Sequence, residues 1–261
     1  MKRQRAAMPE LALPMGTSDL EEKGYVRGFT SVAGLDEVGR GPLAGPVMAA
    51  AVVFPRKSAH PEITDSKLLS AKKREALVPW IKEHALGWAI GSANPEEIDR
   101  INILQASLLA MARALHQLES KPDYLLIDGI HKIPESYLTN ASMALWMGRD
   151  ASTAVAVQSY ANDRKPFQQT VKHGDRLCMS IAAASILAKV ERDRLMTDYD
   201  ARYPEYGFAG HKGYGSAAHL RAIRDYGPSP IHRKSFRPVR EFTGSKASDE
   251  EAGSRTRLIG R

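Results

Sequence analysis

The chain has 261 residues, 43% of them hydrophobic, with a formal net charge of +7 and a pI of about 9.4. This is enough material for one large domain, or one domain with a smaller lobe, and the basic balance favours an acidic partner. The single cysteine, Cys178, excludes an intrachain disulfide and a zinc–cysteine cluster, and its apolar neighbours indicate a buried thiol. No apolar run is long enough to cross a bilayer and no secretory segment follows the basic N-terminus, so we expect a cytoplasmic protein with no membrane contact.

The first patterned segments of the chain are two apolar runs. Residues 1–29 have mixed charge with scattered glycine and proline, and we expect a flexible N-terminal extension there. The runs that follow, Val32–Asp36 and Val47–Phe54, predict a pair of strands.

Two adjacent acids, Asp36 and Glu37, end the first run and are followed by the turn Gly39-Arg40-Gly41. Neighbouring side chains on a strand point to opposite faces, but the glycines permit the bend that lets both acids serve one site. Carboxylates are the oxygen ligands that Mg²⁺ and Mn²⁺ prefer, and glycines let backbone N–H groups approach a phosphate or a sugar. The stretch therefore indicates nucleic-acid or nucleotide chemistry.

Helix-like and strand-like segments alternate through the rest of the body, which predicts an α/β core. Ser70 is a predicted cap for a helix to about residue 85, which Pro79 kinks or divides. Asn94-Pro95-Glu96-Glu97 opens a long helix, because it combines a capping side chain, an early proline and acids near the positive end of the helix dipole. The other predicted elements are strands at Gly87–Ala93 and Asp123–Asp128 and helices from Met179 to about Tyr199 and over Ser216–Tyr226.

Two further acids occupy places comparable to those of Asp36 and Glu37. Asp128 ends the strand at 123–128, and Asp175 precedes the helix that begins at Met179. Because ligands of α/β sheets gather at the carboxyl ends of strands, we expect the four acids to form one cluster. Each acid alone is more often a turn former or a helix cap. Four carboxylates packed together repel one another, and a metal ion resolves that conflict.

The C-terminal part is basic. Between Arg202 and Arg240 there are eight Lys and Arg against two acids, interleaved with aromatic residues, which favours nucleic acid over a merely solvated surface. Histidines 211, 219 and 232 lack the spacing of zinc ligands, so we interpret them as structural or phosphate-facing. Residues 244–261 are polar with mixed charge and predict a disordered tail.

Several of these motifs, in their order along the chain, resemble the ribonuclease HII family, which nicks RNA embedded in DNA. The resemblance runs from about Ser31 to Val239. The motifs that carry it are Asp36-Glu37-Val38-Gly39-Arg40-Gly41-Pro42-Leu43-Ala44-Gly45, Asp65-Ser66-Lys67-Leu68-Leu69-Ser70, Glu97-Ile98-Asp99, Leu126-Ile127-Asp128-Gly129, Gly174-Asp175, the run from Ser180 to Asp193, and His211-Lys212-Gly213-Tyr214-Gly215.

The resemblance implies a ribonuclease H-like mixed five-stranded sheet flanked by helices, with a helical C-terminal part. The catalytic domain is then expected over residues 30–200, with an insertion within about 130–166, and a substrate-binding segment over 201–243. It also implies an endoribonuclease that cuts the RNA strand of RNA–DNA hybrids, including single ribonucleotides embedded in duplex DNA. The cut lies 5′ to the ribonucleotide at the RNA–DNA junction and leaves 5′-phosphate and 3′-hydroxyl ends.

The resemblance further implies roles for particular residues. Asp36, Glu37, Asp128 and Asp175 are the catalytic acids that bind two Mn²⁺ or Mg²⁺ ions, with Asp36 and Asp128 as the shared inner ligands. The remaining residues implied to bind substrate are the ribose-reading turn Gly39, Arg40 and Gly41, the phosphate contact Lys67, and the junction-sensing Tyr214. The expected partners are the hybrid and the ribonucleotide-containing duplex, bound by a monomer.

Three departures from the family pattern stand out. Leu68 replaces a second lysine, His173 replaces a lysine before Gly174, and the chain between Asp128 and Asp175 is long. A catalytically silent hybrid-binding module and another nuclease or transposase on the same fold remain alternatives. A dinucleotide-dependent enzyme is a weaker one, because the spacing Gly39-x-Gly41-x-x-x-Gly45 is one residue too long for the dinucleotide fingerprint and a strand-like run follows it.

Overall fold

The computed structural model describes residues 19–119, 121–139, 160 and 165–242. A five-stranded sheet with strand order β3-β2-β1-β4-β5 forms its centre. The strands β1, β2 and β3 pair antiparallel, whereas β4 and β5 run parallel to β1. The strands are β1 (Val32–Val38), β2 (Val47–Val53), β3 (Gly87–Ala93), β4 (Tyr124–Asp128) and β5 (Phe167–Val171). The mixed five-stranded sheet is therefore as predicted.

Two long helices cover the two faces of this sheet. Strand β2 reads as a continuous apolar run because both of its faces are buried. Its odd-numbered residues pack with helix α3 (Pro95–Gln117), and its even-numbered residues pack with helix α6 (Met179–Arg202). The helices are α1 (Asp19–Val26), α2 (Ala71–His84), α3 (Pro95–Gln117), α4 (Glu135–Leu138), α5 (Gly174–Leu177), α6 (Met179–Arg202), α7 (Phe208–His211) and α8 (Ala217–Tyr226), with a further helical segment over 237–242.

Local signals in the sequence explain where several helices begin. The Ser70 side chain accepts a hydrogen bond from the N–H of Lys73, and Asn94 with Glu97 forms a reciprocal capping box. Both caps are as predicted. Pro79, however, lies inside α2 without dividing it. Helix α3 contains an irregularity that the sequence did not reveal, because Asn102 adopts a positive φ of 67°.

Helix α6 lies unusually close to β1 at Gly34. A side-chain carbon at this position would overlap main-chain atoms of Ser180 and Ile181. The absence of a side chain at Gly34 therefore lets the first turn of α6 rest directly on β1. Cys178, which precedes α6, is buried as predicted.

Part of the predicted flexible extension is instead folded against the body. Within residues 1–29, the stretch Asp19–Val26 is helix α1, and its buried Glu21 Oε1 accepts hydrogen bonds from the N–H (2.9 Å) and hydroxyl (2.8 Å) of Ser180. A carboxylate at the first turn of α6 accepts a hydrogen bond from an N–H that has no partner within the helix. Its negative charge also interacts favourably with the positive end of the helix dipole. The expectation is therefore wrong for this stretch, and residues 1–18 lie outside the described part.

Most of the predicted insertion also lies outside the described residues, as does the predicted tail at 244–261. The C-terminal part that is described is helical, as expected. It packs its apolar residues against Leu43, Ala44 and Met196, and so covers the loop between β1 and β2. None of the described helices has both the length and the apolar character needed to span a membrane.

Candidate active site

The two acids of the first motif lie within β1, because the strand continues to Val38 instead of ending at Asp36. Asp36 is buried and is directed toward α6, where the Ser185 hydroxyl lies near its carboxylate. Its Oδ1 also accepts from the N–H of Glu37, at 2.7 Å. Burial raises the pKa of Asp36 well above its usual range, and the neighbouring charges of Glu37 and Asp128 add to the effect.

Glu37 is half-buried and faces a cation. Its Oε1 lies 3.2 Å from Nη1 of Arg40. Burial raises the pKa of Glu37, and the Asp128 carboxylate raises it further, while Arg40 opposes the rise. The charge of Asp128 therefore raises the pKa of both acids of β1, so Asp36 and Glu37 lie in the same region of the site.

Asp128 lies beside Asp36 because of the strand register. Leu35 pairs with Ile127 in the parallel β1–β4 ladder, so the next residue of each strand is an acid at the same edge of the sheet. Oδ1 of Asp128 accepts a hydrogen bond from the N–H of Gly174 at 2.7 Å. This bond attaches the short helix α5 to the end of β4.

Helix α5 carries the fourth acid, Asp175, which is only 5% exposed. Burial raises the pKa of its carboxyl group, with further contributions from the charges of Asp65 and Asp128, while Lys67 opposes the rise. The structure therefore brings all four predicted acids to one end of the sheet, with Asp128 acting on the other three. Lys67, also predicted for the site, is exposed and near enough to act on Asp175.

Two residues of this region were quoted in motifs but given no role by the sequence analysis. Asp65 is a buried fifth acid that forms an ion pair with Arg176 at 3.0 Å and lies beside Asp175. Ser185 lies near Asp36, and its hydroxyl oxygen lies 2.8 Å from that of Ser66. An Asp in a turn and a Ser in a helix are common in proteins. Only the positions of Asp65 and Ser185 inside the family motifs could have indicated that they belong to the site.

The donor set fits a hard divalent cation. All the converging groups are carboxylates, and three of them have pKa values raised by burial and mutual repulsion, which a cation would relieve. Across the described ranges, no group of three or more His, Cys, Asp or Glu already stands in the arrangement of a metal site.

The predicted substrate residues lie next to the acids. Arg40 is exposed beside Glu37, and Gly41 is exposed next to Tyr214. A side-chain carbon on Gly41 would lie 3.4 Å from Cε1 of the Tyr214 ring, and that ring is 48% exposed. The turn Gly39-Arg40-Gly41 and the tyrosine thus border one surface, which opens toward Glu37.

Fewer side chains of the basic C-terminal segment are exposed for contact with a nucleic acid than its composition suggests. Arg233, one of its basic residues, is fully buried, and Tyr206 and Phe208 are buried as well. Tyr214 and Tyr226 are the large aromatic residues of this segment that stay well exposed.

Two of the three histidines of this segment, His219 and His232, are buried and have a structural role. Nε2 of His219 lies 2.9 Å from Nε2 of His232, and Nδ1 of His219 lies 2.8 Å from the carbonyl oxygen of Tyr214. Burial lowers the pKa of His219 to about 4 and that of His232 to about 3, so both rings are neutral at pH 7. The pair supports the main chain at Tyr214.

Together, a mixed five-stranded sheet between helices and a group of carboxylates at the ends of its adjacent parallel strands define a ribonuclease H-like hydrolase. Comparison with known proteins makes this specific. The sequence model of the family described as Ribonuclease HII matches residues 33–239. A protein named Ribonuclease HII from Syntrophotalea carbinolica is 52% identical over 216 residues, covering 83% of this chain and 90% of its own. Another from Geobacter sulfurreducens is 49% identical over 226 residues, covering 87% and 91%. The chain belongs to the ribonuclease HII family and is an enzyme of ribonuclease H type II.

Solved structures agree with this assignment. The ribonuclease H2 from Pyrococcus horikoshii superposes with a TM-score of 0.61 at 26% identity, covering 82% of this chain and 97% of that one. The Bst-RNase HIII, solved in complex with Mn²⁺, superposes with a TM-score of 0.55 at 18% identity, covering 82% and 69%, which bears on the fold alone. The roles of individual residues in this chain stay predictions.

Proposed function

We propose that this protein hydrolyses the RNA strand of RNA–DNA hybrids and nicks duplex DNA at single embedded ribonucleotides. The cut falls on the 5′ side of the ribonucleotide at the RNA–DNA junction and leaves a 5′-phosphate and a 3′-hydroxyl. One observation carries this proposal: the converging carboxylates lie directly beside an exposed glycine turn that faces Tyr214. A strand laid across this surface presents a phosphate to the acids and the adjoining sugar to the turn.

In this proposal Asp36 and Asp128 are the inner metal ligands, and Glu37 and Asp175 complete the coordination. Two Mn²⁺ or Mg²⁺ ions, when bound, would supply an activated water and stabilise the leaving 3′ oxygen. The protein's part is orientation. The N–H of Glu37 donates to the Asp36 carboxylate and the N–H of Gly174 donates to that of Asp128, which orients both groups.

Recognition of the substrate uses groups at the rim of the site. Backbone groups of Gly39, Arg40 and Gly41 contact the 2′-hydroxyl, the one group that distinguishes RNA from DNA. The exposed ring of Tyr214 stacks on the sugar or base beside the cut, and Lys67 contacts a phosphate. We further propose that the protein acts as a monomer in the cytoplasm.

A defined duplex tests the proposal. The protein is incubated with a DNA duplex that contains one ribonucleotide, with Mg²⁺, with Mn²⁺ or with EDTA, and the nick is mapped on a sequencing gel. We expect a single nick 5′ to the ribonucleotide that requires a divalent ion. An all-DNA duplex is the negative control and a long uniform RNA–DNA hybrid is the comparison. Cleavage of the long hybrid without cleavage at the single ribonucleotide would refute the junction specificity.

A further inference from the structure

Two arginines are completely buried beneath the glycine turn. Arg192 of α6 and Arg233, which follows α8, each have no solvent exposure. Their guanidinium groups donate to main-chain carbonyl oxygens instead of forming ion pairs with carboxylates. A buried charge without an acid partner is costly, and proteins retain such exceptions mainly at functional sites. The arginine pair, Arg192 and Arg233, therefore needs an explanation beyond packing.

Arg233 binds the carbonyl oxygens of the glycine turn itself. Its Nη2 donates to the carbonyl oxygen of Gly39 at 2.6 Å and its Nη1 donates to that of Arg40 at 3.0 Å. Its Nε donates to the carbonyl oxygen of Gly45 at 3.0 Å. Burial lowers the pKa of Arg233 to about 9, so the group keeps its charge at pH 7 and these bonds are charge-assisted.

Arg192 holds the other side of the same loop. Its Nε and Nη2 donate to the carbonyl oxygens of Pro46 (3.0 Å) and Ala44 (3.2 Å). Its Nη1 donates to the carbonyl oxygen of Lys212 at 3.1 Å, two residues before Tyr214. Gly39 has a φ of +92°, and a side-chain carbon there would overlap the Arg192 side chain. The arginine pair thus fixes the glycine turn relative to the Tyr214 segment.

Fixing these carbonyls also fixes the N–H groups that matter for recognition. In a trans peptide the C=O and the following N–H point in opposite directions. With the carbonyls of Gly39 and Arg40 held inward by Arg233, the N–H groups of Arg40 and Gly41 point away from the interior. Neither N–H has an acceptor within the described part of the chain. They are two donors aimed outward at the edge of the site.

We infer that Arg233, supported by Arg192, is the positioning residue that sets ribose specificity. It acts by holding the N–H groups of Arg40 and Gly41 in the orientation that binds a 2′-hydroxyl. This inference rests on the proposed function, because it presumes a ribonucleotide at the turn. It assigns to the buried arginine, and not to the surface cations, the ability to tell RNA from DNA.

Arg233→Lys tests this inference, because lysine keeps the charge but cannot donate to three carbonyls in a planar fork. The readout is the ratio of the Kd for an all-DNA duplex to the Kd for the same duplex with one ribonucleotide, measured in EDTA to prevent cleavage. We expect this ratio to fall roughly three- to tenfold, the worth of about one hydrogen bond. Binding of the all-DNA duplex itself should be unchanged.

Arg113→Lys is the matched control. Arg113 also donates to a main-chain carbonyl, that of Ser92, and pairs with Glu97, but it lies on α3 away from the turn. This variant should keep the wild-type ratio. If Arg233→Lys folds and also keeps the wild-type ratio, the inference is wrong. If the wild-type protein itself does not distinguish the two duplexes, the proposed function fails instead.

A measurement on the wild-type protein covers the case in which Arg233→Lys does not fold. Amide NMR in EDTA should show the N–H signals of Arg40 and Gly41 shifting when the ribonucleotide duplex is added, and shifting much less with the all-DNA duplex. Equal shifts with both duplexes, from a protein that prefers the ribonucleotide duplex, would overturn the inference.

Discussion

Asp36 is a buried carboxylate of the site and lies next to Glu37 and Asp128. We expect Asp36→Asn or Asp128→Asn to reduce kcat by at least about 10²-fold, because each removes a charged ligand at the reacting centre. The Kd for the hybrid should change little. Asp193→Asn is a suitable control, because Asp193 forms an ion pair with Lys189 on α6. Near-normal turnover of Asp36→Asn would show that Asp36 is not a metal ligand.

Binding of a divalent ion should also be visible in the stability of the protein. A cation that relieves repulsion among the acids binds the folded state preferentially, and a hundredfold excess over its Kd contributes about 2.7 kcal/mol. For a chain of this size we expect Mn²⁺ to raise the Tm by roughly 5–10 °C. Calorimetry of the wild type and of Asp36→Asn measures this, and an equal rise in both proteins would place the ion elsewhere.

Tyr214 offers an exposed ring at the edge of the glycine turn. We expect Tyr214→Ala to lower kcat/KM on the single-ribonucleotide duplex more than it weakens binding, since the lost stacking is worth only about 1–3 kcal/mol. Tyr214→Phe keeps the ring and should retain most of the activity. Steady-state kinetics on that duplex and on the long hybrid separate the two effects. A loss confined to Kd would show that the ring contributes only to binding.

At the level of single residues, the sequence was sufficient to predict which acids and which turn lie close together. The four acids and the glycine turn were all predicted to share a site, and the structure brings them together. Asp65, Ser185 and Arg233 were not assigned their positions, because a buried polar residue is recognised by what surrounds it. Arg233 in particular reads as one more surface cation until its three carbonyl partners are known.

At the scale of elements, the contact between α6 and β1 is the most sensitive one. Gly34→Ala would force a side-chain carbon into main-chain atoms of Ser180 and Ile181, which cannot move aside easily. We expect it to lower the free energy of unfolding by about 3 kcal/mol. Gly210→Ala is the control, because a side-chain carbon there meets nothing within 4 Å. Urea unfolding measures the free energy of unfolding of both variants. Equal values would mean that α6 can shift away from β1.

The elements that were predicted well are those with strong local patterns. Strand β3 has the predicted bounds, and the starts of α2 and α3 follow from their capping residues. Strand β5 was missed because its sequence, Phe-Gln-Gln-Thr-Val, is mostly polar, and its place beside β4 is fixed by tertiary pairing. Helix α1 was missed because its packing depends on the distant Ser180.

For the whole molecule, the buried histidines should make stability depend on pH. The folded pKa values of His219 and His232, about 4 and about 3, lie below the 6.5 of an unfolded histidine. Between these limits the unfolded state binds more protons, so stability should fall as the pH decreases from about 6.5 toward 4.

Urea unfolding between pH 4 and pH 7 measures this dependence. Replacing both histidines, in His219→Asn with His232→Gln, should flatten the decrease, whereas His131→Asn, at an exposed position, should not. An unchanged pH profile in the double variant would show that other groups cause the acid sensitivity.

The Gly39 carbonyl and its donor on Arg233 are 194 residues apart in the chain, which affects how the protein is made. At ribosomal rates of about 5–20 residues per second, the glycine turn waits roughly 10–40 s for the arginine that orients it. Asp36 and Asp128 are synthesised well before that arginine, so a nascent chain acquires its acids first and the arginine to which we assign ribose selectivity last. A message truncated before codon 233 would therefore encode the acids without the residue that, on our inference, orients the turn toward RNA.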